Sequence, residues 1–424
     1  MSGFNGGGRG RGRGRGGGRG GRGGRISQGN YPKSKLMPCR SFASTGDCKF
    51  KNSCTFAHIV RSHAQIEMPM NKNAMNNQNY GGYHQQNYNN RASVSCVAIW
   101  ESQGAIKLFS GSSDGYWRLY NTNGFVMEFE NMMGDGNGSV ECVEVTSNYL
   151  FCGFEGISTK LPGAKVGMIH AWNLNSPADP PIEFHMSSLA PYAHASVVTS
   201  LFITESGAVI SGSRDGVIRV WQFGQTGFTL SKTLHGHAAK ITGLTIVSNT
   251  FLWSSSTDHS MRIWDLSSGE CKHLITQETT NSQGHKIGHS SVVSCVLTFE
   301  NDLGKFVLSG SFDGSIKAWN GETGECLANE SQNQGIVSMA LNTDAKGNTL
   351  VLCGLDDGAL MIRNVLQTQN TQAFTLLAVL NKHILNNNHD GSLLCIKTGP
   401  SNTFYTGGKD GKLIVWQLTG DFGL

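Results

Sequence analysis

The chain has 424 residues, of which 38% are hydrophobic and 15% charged, and its formal net charge is +4. That is enough for a large core, and no apolar run approaches the ~18 residues a membrane helix needs. The mean charge hides a division: residues 1–91 carry 15 Lys/Arg against 2 Asp/Glu, a net +13, whereas residues 92–424 carry 19 against 28, a net −9. Such asymmetry points to an acidic partner for the basic segment, nucleic acid being the commonest, unless the basic arm folds back on its own acidic domain.

Residues 1–30 are predicted to be a disordered tail. Arg9, Arg11, Arg13, Arg15, Arg19, Arg22 and Arg25 stand among glycines with no acid between them. A Gly-rich chain loses too much entropy on ordering and has nothing apolar to bury. Mobile guanidinium groups contact phosphates and stack on bases without reading sequence. The tract resembles the RGG segments of RNA-binding proteins.

Residues 33–61 hold CRSFASTGDCKFKNSCTFAH, in which Cys39, Cys48, Cys54 and His58 stand at C-x8-C-x5-C-x3-H. Three thiolates and one imidazole suit a single tetrahedral structural Zn2+ with no open catalytic position. Twenty residues bury no useful core, so the metal must supply the folding energy, on the order of 10–16 kcal/mol. Phe42, Phe50 and Phe56 are threaded between the ligands, with Arg40, Lys49, Lys51 and Arg61 around them. Flat rings beside cations are a platform for unstacked bases. The spacing and the closing Phe-Ala-His resemble the CCCH zinc-finger family, which implies binding of single-stranded RNA, or of DNA in some members. By that resemblance Phe50 and Phe56 would be the stacking rings.

Residues 62–90 read as a linker, rich in Asn and Gln from 69 onwards, with Tyr80, Tyr83 and Tyr88 spaced along it. From 91 to 424 one theme returns seven times, most clearly as VISGSRDGVIRVW (209–221). Each copy is an apolar strand, a tight Asp-Gly turn and a second strand ending in an aromatic, with further strands before and after. Four antiparallel strands per unit at a ~40–45 residue period argue for an all-β fold, a seven-bladed propeller. The repeats resemble WD40 repeats. Eight further cysteines fall mostly inside these strand patterns, as in SVSCVAI and SVVSCVL, and no amino-terminal apolar run directs export, so a soluble intracellular protein with reduced thiols is expected.

Four blades carry a His, a hydroxyl residue, an Asp and a Trp in register: His194–Ser211–Asp215–Trp221, His237–Ser254–Asp258–Trp264, His289–Ser309–Asp313–Trp319 and His389–Thr406–Asp410–Trp416. A chain of hydrogen bonds from indole to hydroxyl to imidazole to carboxylate would satisfy every buried polar atom. A set repeated four times is structural, whereas an active site would be singular, so no residue is assigned a catalytic role. The blades at Asp114, Glu155 and Asp357 lack the set and have Tyr120, Trp172 and Arg363 at the aromatic position. They are expected to be the softer ones.

Only eight residues follow Trp416, too few for the outer strand of the last blade. In propellers of the family it resembles, that strand comes from the amino-terminal side of blade 1, and residues 80–92 are expected to supply it. One CCCH finger ahead of a seven-bladed ring resembles the plant zinc-finger/WD40 proteins, which implies nucleic-acid binding and a nuclear location, with the cytoplasm as a second one. The reading is a non-enzymatic adaptor: finger and tail hold RNA or DNA, and the propeller recruits proteins, with no membrane or small-molecule substrate. Arg214 and Arg262, next to two blade turns, are expected near a binding face. The alternative is a protein-only scaffold or ubiquitin-ligase substrate receptor with a purely structural zinc. Trp264-Asp265 is followed by Leu266 and Ser267 rather than by the Arg such receptors tend to carry.

Overall fold

A computed structural model describes residues 38, 40–45, 47–49, 60–70, 91–102, 104–133, 138–157, 163–225, 227–365, 373–382, 388–420 and 422. The tail 1–30, the ligands Cys39, Cys54 and His58, the residues Phe50, Lys51 and Phe56, and linker residues 71–90 lie outside them. A short helix, α1 (Arg40–Thr45), precedes strand β1 (Val60–Glu67). The described strands then form seven four-stranded antiparallel sheets arranged as propeller blades. Blade 1 is β2 (Val94–Ser102), β3 (Ala105–Ser112), β4 (Tyr116–Asn121) and β5 (Met127–Met132). Blade 2 is β6 (Val140–Val145), β7 (Tyr149–Ile157), β8 (Lys165–Asn173) and β9 (Ile182–Glu183). Blade 3 is β10 (Val198–Ile203), β11 (Val209–Ser213), β12 (Ile218–Gly224) and β13 (Gly227–Leu234). Blade 4 is β14 (Ile241–Val247), β15 (Phe251–Ser256), β16 (Met261–Asp265) and β17 (Cys271–Ile275). Blade 5 is β18 (Val293–Asn301), β19 (Gly304–Ser311), β20 (Ser315–Asn320) and β21 (Cys326–Ser331). Blade 6 is β22 (Ile336–Thr343), β23 (Thr349–Leu355), β24 (Leu360–Asn364) and β25 (Leu376–Leu380). Blade 7 is β26 (Leu393–Thr398), β27 (Thr403–Gly408) and β28 (Lys412–Leu418), with β1 as its outer strand.

The origin of that outer strand corrects two expectations. It comes from the amino-terminal side, but from Val60–Glu67 and not from 80–92. Its pairing runs from Val60↔Leu418 to Glu67↔Lys412, with a bulge at His63. The expected linker therefore begins within a strand, and the finger and the ring share one continuous segment. Residues 91 and 92 lie beside the strand's other end: Ala92 N–H donates to the Pro69 carbonyl (3.1 Å) and Arg91 Nη1 to the Met68 carbonyl (2.9 Å).

The core lies between neighbouring blades, where apolar faces of adjacent sheets meet. Each inner strand bulges just after its first residue, as at Val94/Cys96 and Leu393/Cys395. At each bulge a thiol or hydroxyl donates to the first carbonyl of the next blade. The hydroxyl links are Thr199 to Ile241 O, Thr242 to Val293 O, Ser294 to Ile336 O and Ser338 to Leu393 O, at 2.5–2.8 Å. The thiol links are Cys96 to Val140 O, Cys142 to Val198 O and Cys395 to Val94 O, at 3.7–3.9 Å. Together they form an unbroken circuit around the channel. Burial raises all three thiols, Cys395 to about 12, so each keeps the proton it donates.

Close approach at the same level dictates a glycine on the second strand. A Cβ on Gly407 would stand 2.5 Å from Val94 Cγ1, and one on Gly212 2.5 Å from Ile241 Cγ2. In blade 4 that position is Ser255, and Gly243 faces it where other blades have Cys or Ser, so the missing side chain has changed strands.

Candidate metal centre and the polar sets of the blades

Helix α1 has no acidic residue in its first turn. Ser44 Oγ instead donates to the Arg40 carbonyl (2.8 Å), and Thr45 Oγ1 to the Ser41 carbonyl (2.8 Å). Its inward face is Ala43, only 1% exposed, which shares an apolar cluster with Val60, Trp416 and Leu418. Ser62 Oγ of β1 donates to the Ala43 carbonyl (3.2 Å), tying helix to strand. A small side chain is what lets the helix lie this close.

Of the four expected ligands, Cys48 is described. It is 3% exposed, and its N–H donates to Asp47 Oδ1 at 2.7 Å. A buried thiol three residues beyond a helix that begins next to Cys39 fits a ligand set folded inward. Three thiolates and one imidazole at this spacing are the donor chemistry of zinc. Among the described residues no group of three or more His, Cys, Asp or Glu could hold a second metal. Of the expected nucleic-acid contacts, Arg40 and Lys49 are exposed and Phe42 is half-buried. Arg61, expected around the rings, has a strand position. It lies in β1, and its Nε donates to Gln417 Oε1 at 3.0 Å.

The four repeated sets assemble as hydrogen-bonded clusters. In all four, the Trp Nε1–H donates to the hydroxyl at 2.8 Å, and that hydroxyl lies 2.7–2.8 Å from the His Nε2. In blades 4 and 7 the Nδ1 then meets the carboxylate directly, His237–Asp258 at 2.8 Å and His389–Asp410 at 3.0 Å. Nδ1 is the donor there, so Nε2 accepts from the hydroxyl. Blade 5 inserts a relay: His289 Nδ1 contacts Ser315 Oγ (2.8 Å), which donates to Asp313 Oδ1 (2.6 Å).

Blade 3 is different. Arg219 Nη1 donates to His194 Nδ1 at 2.6 Å, and Asp215 stands back at 3.5 Å. An imidazole that accepts at Nδ1 must carry its proton on Nε2, so the donor order at Ser211 is reversed. Burial, and the Arg219 charge beside it, hold His194 below the usual imidazole range. Burial alone would raise the Asp215 carboxyl, but the backbone N–H groups of Val217 (2.9 Å) and Ala195 (3.1 Å) donate to it and hold it below the usual carboxylate range.

Arg219 exposes a position that the sequence reading missed, two residues before the aromatic. It carries Arg118, Arg219, Arg262 and Lys317 in blades 1, 3, 4 and 5. The signal was present as W-R-L-Y, I-R-V-W, M-R-I-W and I-K-A-W. In blade 1 Arg118 replaces the missing set: it reaches Asp114 Oδ2 (2.7 Å), Ser112 Oγ (2.7 Å) and Glu130 Oε2 (3.1 Å). Arg262 was expected at a binding face but lies half-buried over the Trp264 ring, 5.8 Å from its centroid. Arg214 is exposed in its turn.

The two other incomplete blades depart further. In blade 6 the aromatic position is Arg363, buried, bonded to the Phe374 carbonyl (2.7 Å) and Gln332 Oε1 (2.9 Å), with Cys353 where a hydroxyl stands elsewhere. In blade 2 Cys152 takes the hydroxyl place, and Trp172 Nε1 has no hydrogen-bond partner among the described residues. The β7–β8 hairpin pairs on to Ile157↔Lys165, so register puts Gly156, not Glu155, at the Asp position.

Two family models match the chain. The model described as zinc finger C-x8-C-x5-C-x3-H type (and similar) covers residues 35–60. The model described as WD domain, G-beta repeat covers residues 186–222, 228–265, 281–320 and 378–417. Those four segments hold the four complete His/hydroxyl/Asp/Trp sets. Neither matched family is an enzyme family. The chain is also similar to an uncharacterized WD repeat-containing protein of Schizosaccharomyces pombe, with 30% identity over 137 residues. That alignment covers 31% of this chain and 34% of the relative, so the chain spans about a third of that protein's length. The chain has a CCCH–WD40 architecture, a CCCH-type zinc finger followed by a seven-bladed WD40 propeller whose last blade is completed by the strand next to the finger.

Proposed function

We propose that the protein is a non-enzymatic adaptor that holds single-stranded RNA at its finger and Arg-Gly tail and recruits protein partners to its propeller. One structural Zn2+ on Cys39, Cys48, Cys54 and His58 orders the finger. Arg40, Phe42, Lys49, Phe50, Lys51 and Phe56 supply cations and rings, and Arg9 to Arg25 supply unspecific phosphate contacts. The observation that supports this reading best is the docking of α1 on blade 7, which gives anything bound by the finger a fixed position relative to the ring. A nuclear location, with the cytoplasm second, belongs to the same reading.

Crosslinking followed by sequencing of bound RNA tests it, with the wild type set against Cys48→Ser and a deletion of residues 1–25. A specifying finger loses its sequence preference in the serine variant. A tail that supplies affinity weakens all sequences alike when removed and flattens the salt dependence. DNA competitors of the same sequence decide between the two nucleic acids. An unchanged profile in both variants favours the protein-only scaffold.

A further inference from the structure

We infer that the zinc finger is the fastener of the propeller: folding of the finger around its metal holds the strand that closes blade 7. The inference rests on the zinc reading of the finger and goes beyond it, because it assigns the metal a role in the ring. β1 lies in blade 7 but is not connected through blade 7; it reaches β28 only from the amino-terminal side. Its two ends are held by different things.

The far end, at Glu67, is pinned by the ring itself. Met68 N–H donates to the Gly411 carbonyl (2.8 Å), Arg91 pairs with Glu67, and buried Met68 sits in the cluster of blades 7 and 1 with Val94 and Tyr405. The near end, at Val60, is pinned by the finger. Val60 is 1% exposed beside Ala43, and Ser62 holds the Ala43 carbonyl. The last expected ligand, His58, precedes Val60 by two residues, a reach of at most ~7 Å of extended chain. A metal that fixes His58 therefore fixes where β1 begins. Without it, α1 has only six residues, far too few to be helical alone. The dock of Ala43 goes with the helix.

This arrangement makes the loosening directional. Metal loss frees the Val60 end and its partners Trp416 and Leu418, and leaves the Glu67 end with Lys412 in place.

Hydrogen exchange read by mass spectrometry on the full-length protein tests this, comparing the zinc-loaded with the chelated form, with released zinc measured in parallel. We expect amides in 60–63 and 415–418 to exchange at least about tenfold faster on chelation, with 65–68 and the blade 3–5 strands unchanged. Because chelation could unfold the whole chain, Ala43→Lys provides a second route: it keeps all four donors and the zinc but removes the dock, and should loosen the same two segments. Equal protection of 60–63 in the loaded, chelated and Ala43→Lys proteins overturns the coupling. So does uniform loosening of both ends of β1. A protein that takes up no zinc overturns the finger reading itself, which separates the two failures.

Discussion

Cys395 in blade 7 donates its thiol proton to the Val94 carbonyl of blade 1 across 3.8 Å, joining residues 301 positions apart. It is the last of seven links between inner strands, and sulfur makes it one of the weak ones. The same two side chains leave no room on the strand behind, since a Cβ on Gly407 would stand 2.6 Å from Cys395 Sγ and 2.5 Å from Val94 Cγ1. We expect Gly407→Ala to destabilise the protein by about 1–3 kcal/mol through overpacking at the closing blade boundary. Urea unfolding measures it, and a midpoint equal to wild type would show that the boundary can give.

Blade 4 offers a cleaner version of that argument. Gly243 faces Ser255, the reverse of the usual pair, and a Cβ on Gly243 would stand 2.9 Å from Ser255 Oγ and 3.1 Å from the Val296 nitrogen. Gly243→Ser alone should cost about 1–3 kcal/mol, and adding Ser255→Gly should recover most of it. Additive losses in a double-mutant cycle would mean that the two positions do not compensate.

What could be read from the sequence follows from period and turn chemistry. Seven strand–turn–strand copies and four His/hydroxyl/Asp/Trp sets are local patterns at fixed spacing; the four sets cluster in the structure, with the imidazole meeting its carboxylate directly in blades 4 and 7. The closing strand was harder to see. VRSHAQIE at 60–67 places Val60, Ala64 and Ile66 at alternate positions, a strand signal, but proximity to blade 1 favoured 80–92. Nothing local reveals that a chain will leave an edge strand and return after more than twenty residues. The Arg219 contact with His194 was legible only in part: the basic position two before the aromatic recurs at fixed spacing, but the 2.6 Å approach to His194 depends on how the residues before β10 fold over β12. Glu155 was misplaced by one because blade 2 has a longer hairpin where its neighbours have a tight turn.

Blade 2 can be given part of the set that it lacks. Cys152 occupies the position of Ser211, Ser254, Ser309 and Thr406, and the buried Trp172 Nε1 has no acceptor among the described residues. Cys152→Ser places a hydroxyl where the other four blades show a 2.8 Å indole bond. We expect a gain of about 0.5–1.5 kcal/mol, read as a higher unfolding temperature. A loss would indicate that the thiol is valued there for its packing.

Acid should loosen the ring in two stages. Burial holds His170 down to about 4 and keeps His194 and His289 below their ordinary value. Such groups take up a proton in the unfolded chain near pH ~6.5 but not in the folded one, so the unfolded state binds more protons below that pH. Stability then falls with pH by up to ~1.4 kcal/mol per unit for each group, for His170 between about 6.5 and about 4. The second stage comes from the turn carboxylates Asp215, Asp258, Asp313 and Asp410, all held below the usual range, whose contribution is complete above pH ~3.9 and is lost below it. Because neither ring nitrogen of His170 has a hydrogen-bond partner among the described residues, His170→Leu should flatten the slope between pH 6.5 and 4.5. Thermal melts across that range decide it, and an unchanged slope would move the cause to other groups.

A chain that begins at residue 91 tests the closing strand without involving the metal. It keeps three strands of blade 7 and exposes the outer edge of β28, including the backbone that pairs with Val60 through Glu67. It also removes Val60 from the Trp416 and Leu418 cluster, and Met68 from that of Leu413 and Val415. An unpaired edge next to newly exposed apolar surface invites pairing with a second copy. We expect this shortened protein to self-associate and to melt several degrees lower than the full chain, as read by size-exclusion chromatography and circular dichroism. A chain that begins at residue 59 retains β1 but not the finger, and should remain monomeric with an intermediate melting temperature. The order of the three melting points carries the argument. Strand loss affects the whole ladder, whereas finger loss affects only its Val60 end, so a residue-59 chain no more stable than the residue-91 chain would mean that β1 does not hold without the finger beside it.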